Sequence, residues 1–288
     1  MNGILLIDKP TDWTSMDVCA KLRGVFHEKR IGHSGTLDPM ATGLLVVFLG
    51  RATRAVEFAE ADSKEYIARL RLGITTDTQD TSGNVLSEKS ADISDKQLLS
   101  VIEKFKGEIE QIPPMYSAIK IGGKKLYEIA RKGESVERKS RRITIHSLDF
   151  LGWEDGDAIL RVCCSKGTYI RTLCNDIGEA LGCGGCMSSL RRTAAGIFSI
   201  SEAHRLQDVI AAGEKAEEFI LPVDALFEGL PSVVFNEKQE KLFRNGVRFS
   251  YCCDSEKFRV YSESGEFLAL AAVEEGKIVC IKSFYEVK

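Results

Sequence analysis

The sequence predicts a mixed α+β fold with a small β-rich unit at its C-terminal end, and three observations predict it. Lys64 to Leu72 alternates as a strand does, with Tyr66, Ala68, Leu70 and Leu72 on one face and Ile67, Arg69 and Arg71 on the other. Ile170, Leu173, Ile177 and Leu181 recur at the spacing of an amphipathic helix. From Val233 to Lys288, Gly246, Gly265 and Gly276 separate short apolar runs, the punctuation of a small β domain.

Taken in order, Ile4 to Ile7 reads as a short strand ended by Lys9-Pro10. Thr14 or Ser15 caps a helix that carries Val18, Leu22 and Val25 or Phe26. Leu44 to Leu49 is an apolar run of buried-strand type, and Arg51 to Ala61 a helix with Ala55, Phe58 and Ala59 on one side. Tyr66, on the less charged face of its strand, is expected half-buried. Asp77 to Gly83 has the outline of a calcium loop, but Thr81 and Ser82 break the alternation, which leaves a turn. An amphipathic helix is expected over Ser94 to Phe105, a stop at Pro113-Pro114, and a short helical stripe at Leu126, Ile129 and Ala130. Strands follow at Ile143 to Leu151 and Ile159 to Cys163, then a helix from Thr168 or Tyr169 to a stop at Gly182. Leu190 to Thr193 precedes another expected strand, Ala194 to Ile200, and the chain changes character between Pro222 and Pro231.

At 288 residues, 44% hydrophobic and 28% charged, the chain has the make-up of a globular protein with a substantial core. No apolar run approaches the roughly 20 residues of a membrane helix, and the N-terminus lacks a signal-peptide pattern, so a cytoplasmic protein without membrane attachment is expected. Nine cysteines then read as reduced thiols. Cys183-Gly-Gly-Cys186 is half of a zinc or redox pattern, but Cys163-Cys164 and Cys252-Cys253 are adjacent pairs poorly spaced to complete it, and no metal is expected. Net charge is −3, yet Lys120 to Arg142 holds nine basic residues against three acidic ones. That local +6 suits a phosphate backbone, and equally a solvated face.

The chemistry is expected in Gly32-His33-Ser34-Gly35-Thr36-Leu37-Asp38-Pro39-Met40-Ala41-Thr42-Gly43. Glycines open dihedrals closed to other residues, and Pro39 bars Asp38 from helix, so the carboxylate is aimed by a restrained loop. The stretch is neither a phosphate-binding loop nor a dinucleotide fingerprint, and it contains no Ser-His or Cys-His pair. Arg171 falls in the first turn of its helix, off the apolar stripe. A cation there is disfavoured by up to about 1 kcal/mol unless an anion is near, which leaves two readings: a solvated arginine reaching away from the dipole, or one paired with Asp38, with Asp80 a candidate second ionic partner.

GHSGTLDPMATGLL at Gly32 to Leu45 resembles the active-site motif of the bacterial tRNA pseudouridine-55 synthase family. The likeness extends to ILLIDKPTDWTS at Ile4 to Ser15, KEYIARLRLG at Lys64 to Gly73, SKGTYIRTLCNDIGEALG at Ser165 to Gly182 and LRRT at Leu190 to Thr193, in the family's order. The resemblance implies a catalytic domain around a largely antiparallel sheet at residues 1–230, with 120–142 as an RNA-contacting segment, and a small RNA-binding domain at 231–288. It implies isomerisation of one T-loop uridine in tRNA without a cofactor or obligatory protein partner. Asp38 would then open the glycosidic bond, Arg171 hold it, and Tyr66 stack on the target base and remove its C5 proton. His33 would fill the stack left by the flipped nucleotide, Tyr169 and Leu190 line the uracil pocket, and Lys9 support the loop. Two rivals stand beside this reading: a hydrolase of glycosidic bonds, which needs a second carboxylate, and a non-catalytic RNA-binding or tRNA-folding protein.

Overall fold

Residues 1–60 and 63–285 are described by a computed structural model, the side chains of Glu60 and Glu214 excepted. In chain order the elements begin with β1 (Gly3–Lys9), α1 (Ser15–Phe26), β2 (Ile31–Ser34), β3 (Thr42–Leu49), α2 (Val56–Glu60), β4 (Lys64–Leu72), β5 (Ile74–Thr76), β6 (Val85–Glu88) and α3 (Asp95–Ile102). They continue with β7 (Gly107–Gln111), β8 (Lys120–Ile121), β9 (Lys124–Lys125), α4 (Leu126–Ala130), β10 (Arg141–Glu154), β11 (Asp157–Cys164), α5 (Ile170–Ala180) and β12 (Gly185–Ala195). The chain closes with β13 (Phe198–Ser199), β14 (His204–Arg205), α6 (Leu206–Ala212), β15 (Ser232–Phe235), α7 (Glu237–Arg244), β16 (Phe258–Ser262), β17 (Phe267–Glu274) and β18 (Lys277–Ser283).

Ten strands form one sheet in the order β14-β1-β3-β12-β4-β11-β10-β7, with β2 added to β3 and β13 to β12. Its pairings are antiparallel except at β1/β14 and β3/β12. The β3/β12 junction is short, matching Arg191 with Thr42 and Arg192 with Gly43. It is the seam between two halves of the sheet, and residues 35–41 lead directly into it. At Gly43 (φ 98°) a Cβ would fall 2.3 Å from the Arg192 carbonyl oxygen, so only glycine lets the two strands meet.

The local causes are those the sequence suggests. Thr14 rather than Ser15 caps α1, its side chain accepting from the Asp17 N–H while the Asp17 carboxylate accepts from the Thr14 N–H. β3 is buried on both faces because Leu45, Val47 and Leu49 pack with Val18, Leu22 and Phe26, while Leu44, Val46 and Phe48 meet the opposite core. The other half of the sheet packs Ala68, Leu70, Leu160 and Val162 under α3 and α5. β15 to β18 form a separate four-stranded sheet around Phe235, Phe243 and Phe258. Leu270 and Phe284 of that unit also close the core beneath Ile4 and Leu6.

Two expectations change. The strand placed at Ala194 to Ile200 instead starts at Gly185, contains Leu190 to Thr193, and turns at Gly196-Ile197 into β13. The small residues before it belong to a close helix-strand contact: a Cβ on Gly178 of α5 would lie 2.2 Å from the Gly185 nitrogen. The expected helix from Arg51 to Ala61 is a 3₁₀ turn over Gly50–Ala55 followed by α2, with Ala61 outside the described residues. Among the described residues no helix is long and apolar enough to cross a membrane.

Gly43→Ala therefore strains the backbone and forces the seam apart. We expect a loss of at least about 2 kcal/mol of unfolding free energy by chemical denaturation. Unchanged stability would contradict the close approach.

Candidate active site

Asp38 stands on the loop between β2 and β3, and the backbone on each side of it is fixed. The Leu37 N–H donates to Ser15 Oγ at 2.9 Å, and Ser15 Oγ donates back to the Leu37 carbonyl at 3.3 Å. The Pro39 carbonyl accepts from the Asp12 N–H at 2.8 Å and from Lys9 Nζ at 3.2 Å. The Ala41 N–H closes the turn on the Asp38 carbonyl at 3.0 Å. Between these ties the side chain has one place to go.

There it meets Arg171. Nε lies 2.9 Å from Oδ2 and Nη2 donates to Oδ1 at 3.3 Å, a two-point contact. The same guanidinium donates to the carbonyls of Thr78 at 3.1 Å and Tyr116 at 2.8 Å, and lies 3.7 Å from Asp80 Oδ2. The arginine side chain is 6% exposed, the Asp38 side chain 35%. A buried cation thus holds a carboxylate that still faces outward. Burial pushes the Asp38 carboxyl above the usual carboxylate range, and Arg171 opposes that shift.

Asp80 is the second anion beside Arg171, and it faces inward. It is buried, and its carboxylate accepts from Thr78 Oγ1 at 2.7 Å and the Ser82 N–H at 3.0 Å. An acid so enclosed cannot protonate a sugar oxygen, so Asp80 is not the second carboxylate a glycosidase would need. Helix α5 carries Arg171 to this point, and Gln111 of β7 fixes its start: the Tyr169 N–H donates to Gln111 Oε1 at 2.8 Å, and Gln111 Nε2 donates to the Tyr169 carbonyl at 3.1 Å.

Tyr66 is buried, more deeply than the half-buried ring expected, in the cluster that holds Leu37, Ala41, Ile170 and Leu190. Burial raises its phenol pKa. Leu190, opposite Ala68 across β12/β4, is buried in the same cluster, and Tyr169 sits at the N-cap of α5 with its phenol also pushed up by burial. His33 lies on β2 rather than in a free loop; burial, seconded by Arg192, lowers its pKa and keeps the ring neutral at pH 7. A groove of about 510 Å³ opens beside the loop, lined by Met40, Thr42, Ile67, Leu190 and Arg191.

Lys9, at the end of β1, is fully buried. Its Nζ donates to the carbonyls of Pro10 at 2.8 Å, Trp13 at 2.7 Å and Pro39 at 3.2 Å, all three donors of an ammonium in use. Two contributors escaped the sequence reading. Gln111 sits two residues before Pro113 with nothing but its buried position to mark it. Arg192 would have shown itself had the strand been extended back, since it shares a face with Leu190. Cys183 and Cys186 are both buried, and no group of three or more His, Cys, Asp or Glu among the described residues is arranged to hold a metal ion.

Residues 23–170 match the family described as TruB family pseudouridylate synthase (N terminal domain), and residues 171–228 match the tRNA pseudouridylate synthase B C-terminal domain. A tRNA pseudouridine synthase B of Clostridium kluyveri is 41% identical, over 99% of this chain and 100% of the relative. One of Ralstonia nicotianae is 45% identical over 96% of this chain and 92% of its own length. Among solved structures, a chain of an H/ACA RNP bound to a substrate RNA containing 2′-deoxyuridine is similar with a TM-score of 0.73 and 25% identity, covering 99% of this chain and 85% of that one.

The Lys9 ammonium titrates early: burial lowers its pKa from 10.5 to about 8 against the pull of Asp38. Between those values the unfolded chain holds a proton that the folded protein has shed, so stability rises with pH there. Unfolding free energies of the wild type and Lys9→Met, compared from pH 8 upward, should diverge in favour of the wild type. A difference that stays flat or shrinks would refute the burial effect.

Proposed function

The chain belongs to the TruB family of pseudouridylate synthases and pseudouridylates tRNA; we propose that its target is uridine 55 of the T loop and that Asp38 opens the bond. The observation that carries this reading is the ion pair of a buried Arg171 with a half-exposed Asp38. Net, the reaction breaks the bond from ribose C1′ to uracil N1, joins C1′ to C5, and moves the C5 proton to N1. Nothing is oxidised or reduced, so side chains suffice.

A stacked uridine must leave the loop before a carboxylate can reach it. We assign His33 to the gap in the stack, since a neutral flat ring is suited to it. Leu190 and Tyr169 form the walls around the extruded base, Tyr66 its stacking surface and acceptor for the C5 proton, and Lys9 the prop under Pro39. Arg171 keeps Asp38 ionised and directed while the closing base excludes water.

Electrostatic attraction for RNA is supplied by residues 120–142. Lys120, Lys124 and Arg131 are exposed there, and Lys125 and Arg131 bracket the Tyr127 ring at 5.3 and 5.5 Å. This segment starts four residues after Tyr116, whose carbonyl accepts from Arg171, so RNA bound along it lies next to the catalytic pair. Residues 231–288, by contrast, hold nine basic and nine acidic residues. We infer that this C-terminal unit meets RNA by shape, without adding long-range attraction.

Purified protein incubated with unmodified tRNA should form pseudouridine at position 55. Asp38→Asn should form none and His33→Ala a reduced but measurable amount; equal activity in both would refute the assignment. Rate should fall with decreasing pH as Asp38 protonates, at a midpoint above the free-carboxylate value of 3.8. Because Arg171 lowers that midpoint, Arg171→Met should move it upward among residual rates, and a midpoint unmoved would contradict the pairing.

A further inference from the structure

We propose that Arg192 is a positioning residue for the isomerisation, tying both ends of the Asp38 loop to the hydroxyl of Tyr66; this rests on the pseudouridine reading above. Arg192 stands at the middle of the seam. In β12 it is paired with Gly43 of β3 on one side and lies directly opposite Tyr66 of β4 on the other. Side chains directly opposite across an antiparallel pair are neighbours, with Cβ atoms about 5 Å apart.

Its guanidinium takes hold of the loop at two points. Nε donates to the Leu44 carbonyl at 2.6 Å and Nη2 to the Gly35 carbonyl at 3.1 Å. Those carbonyls bracket the whole loop that carries Asp38. The close fit is visible at Gly35, where a Cβ would lie 3.2 Å from Arg192 Nη1.

The third arm is what singles the residue out. Nη1 is buried and makes no hydrogen bond, and Arg192, 0% exposed, has no carboxylate within ion-pair distance among the described residues. A buried cation without a counter-ion is costly, so two backbone hydrogen bonds alone do not account for it. Its neighbours are the Tyr66 phenol and the His33 ring, whose Nδ1 is likewise buried and without a partner. Beside the phenol, the positive charge orients the hydroxyl lone pairs and offsets the burial that raises the phenol pKa. Arg171 thus serves Asp38, and Arg192 serves Tyr66 while fixing the loop between them.

The test combines single-turnover rates at saturating enzyme, where a misfolded fraction does not lower the rate, with ¹³Cζ-tyrosine NMR at neutral pH, the Tyr66 signal assigned from Tyr66→Phe. Arg192→Met should slow turnover about a hundredfold while tRNA affinity stays within about threefold, and should shift the Tyr66 resonance. Arg192→Lys, which keeps the charge, should recover part of the rate. Should the methionine variant fail to fold, Arg192→Gln, shorter but still a polar donor, removes the charge; it should show the same loss. A neutral variant at wild-type rate, or an unmoved Tyr66 resonance, would overturn the proposal. A wild type that makes no pseudouridine would instead overturn the functional reading, while the resonance still decides whether Arg192 governs Tyr66.

Discussion

The ion pair between Arg171 and Asp38 is the constraint around which this molecule is arranged. Taking a guanidinium out of water costs several kcal/mol unless its donors are matched, and the fold matches them with the Asp38 carboxylate, the carbonyls of Thr78 and Tyr116, and nearby Asp80. Four separate segments converge on one side chain. The β5–β6 turn, the strand-exit segment after β7, the Asp38 loop and helix α5 are positioned relative to one another because Arg171 sits where they meet. Of the two carboxylates beside Arg171, Asp80 is buried and Asp38 keeps a route to solvent, which turns a buried network into a site.

The sheet explains why such a network fits. A continuous antiparallel sheet offers little space for a buried charged loop, since neighbouring strands fill every lateral hydrogen bond. Among the described residues the strands of the two halves pair only through the short parallel contact of β3 and β12, and the loop enters where they part. Glycine at position 43 permits the contact, and Gly178 against Gly185 lets α5 lie close enough on β12 to bring Arg171 inward. The supports are themselves polar and buried: Lys9 under Pro39, Ser15 on Leu37, Gln111 on Tyr169. Each commits side-chain hydrogen bonds to backbone, the pattern of a preorganised rather than an adaptable site.

Much of this was legible in the sequence. Alternation at Lys64 to Leu72 and helical spacing at Ile170 to Leu181 located the strand and the helix that carry Tyr66 and Arg171. The oddity of an arginine in a helix's first turn pointed to a nearby anion. What the sequence concealed were relations between strands. Arg192 gains its meaning from a register that sets it opposite Tyr66 and beside Gly43, and periodicity within one strand does not reveal registers between strands. Lys9 looked like a strand-end lysine because its three acceptors are carbonyls, which every residue possesses. The misplaced strand start at Ala194 has a similar cause: Gly184 to Ser189 is rich in small residues that read as loop, yet those residues are what a helix pressed onto a strand requires.

The most direct measurement of the central claim is a crystal structure of Asp38→Asn bound to an unmodified T-stem-loop. The account predicts the target uridine turned out of the loop, its base stacked on Tyr66 and walled by Leu190, with the substituted carboxamide at position 38 in contact with its ribose. A uridine still stacked within the RNA, or extruded into a pocket away from position 38 and Tyr66, would contradict it.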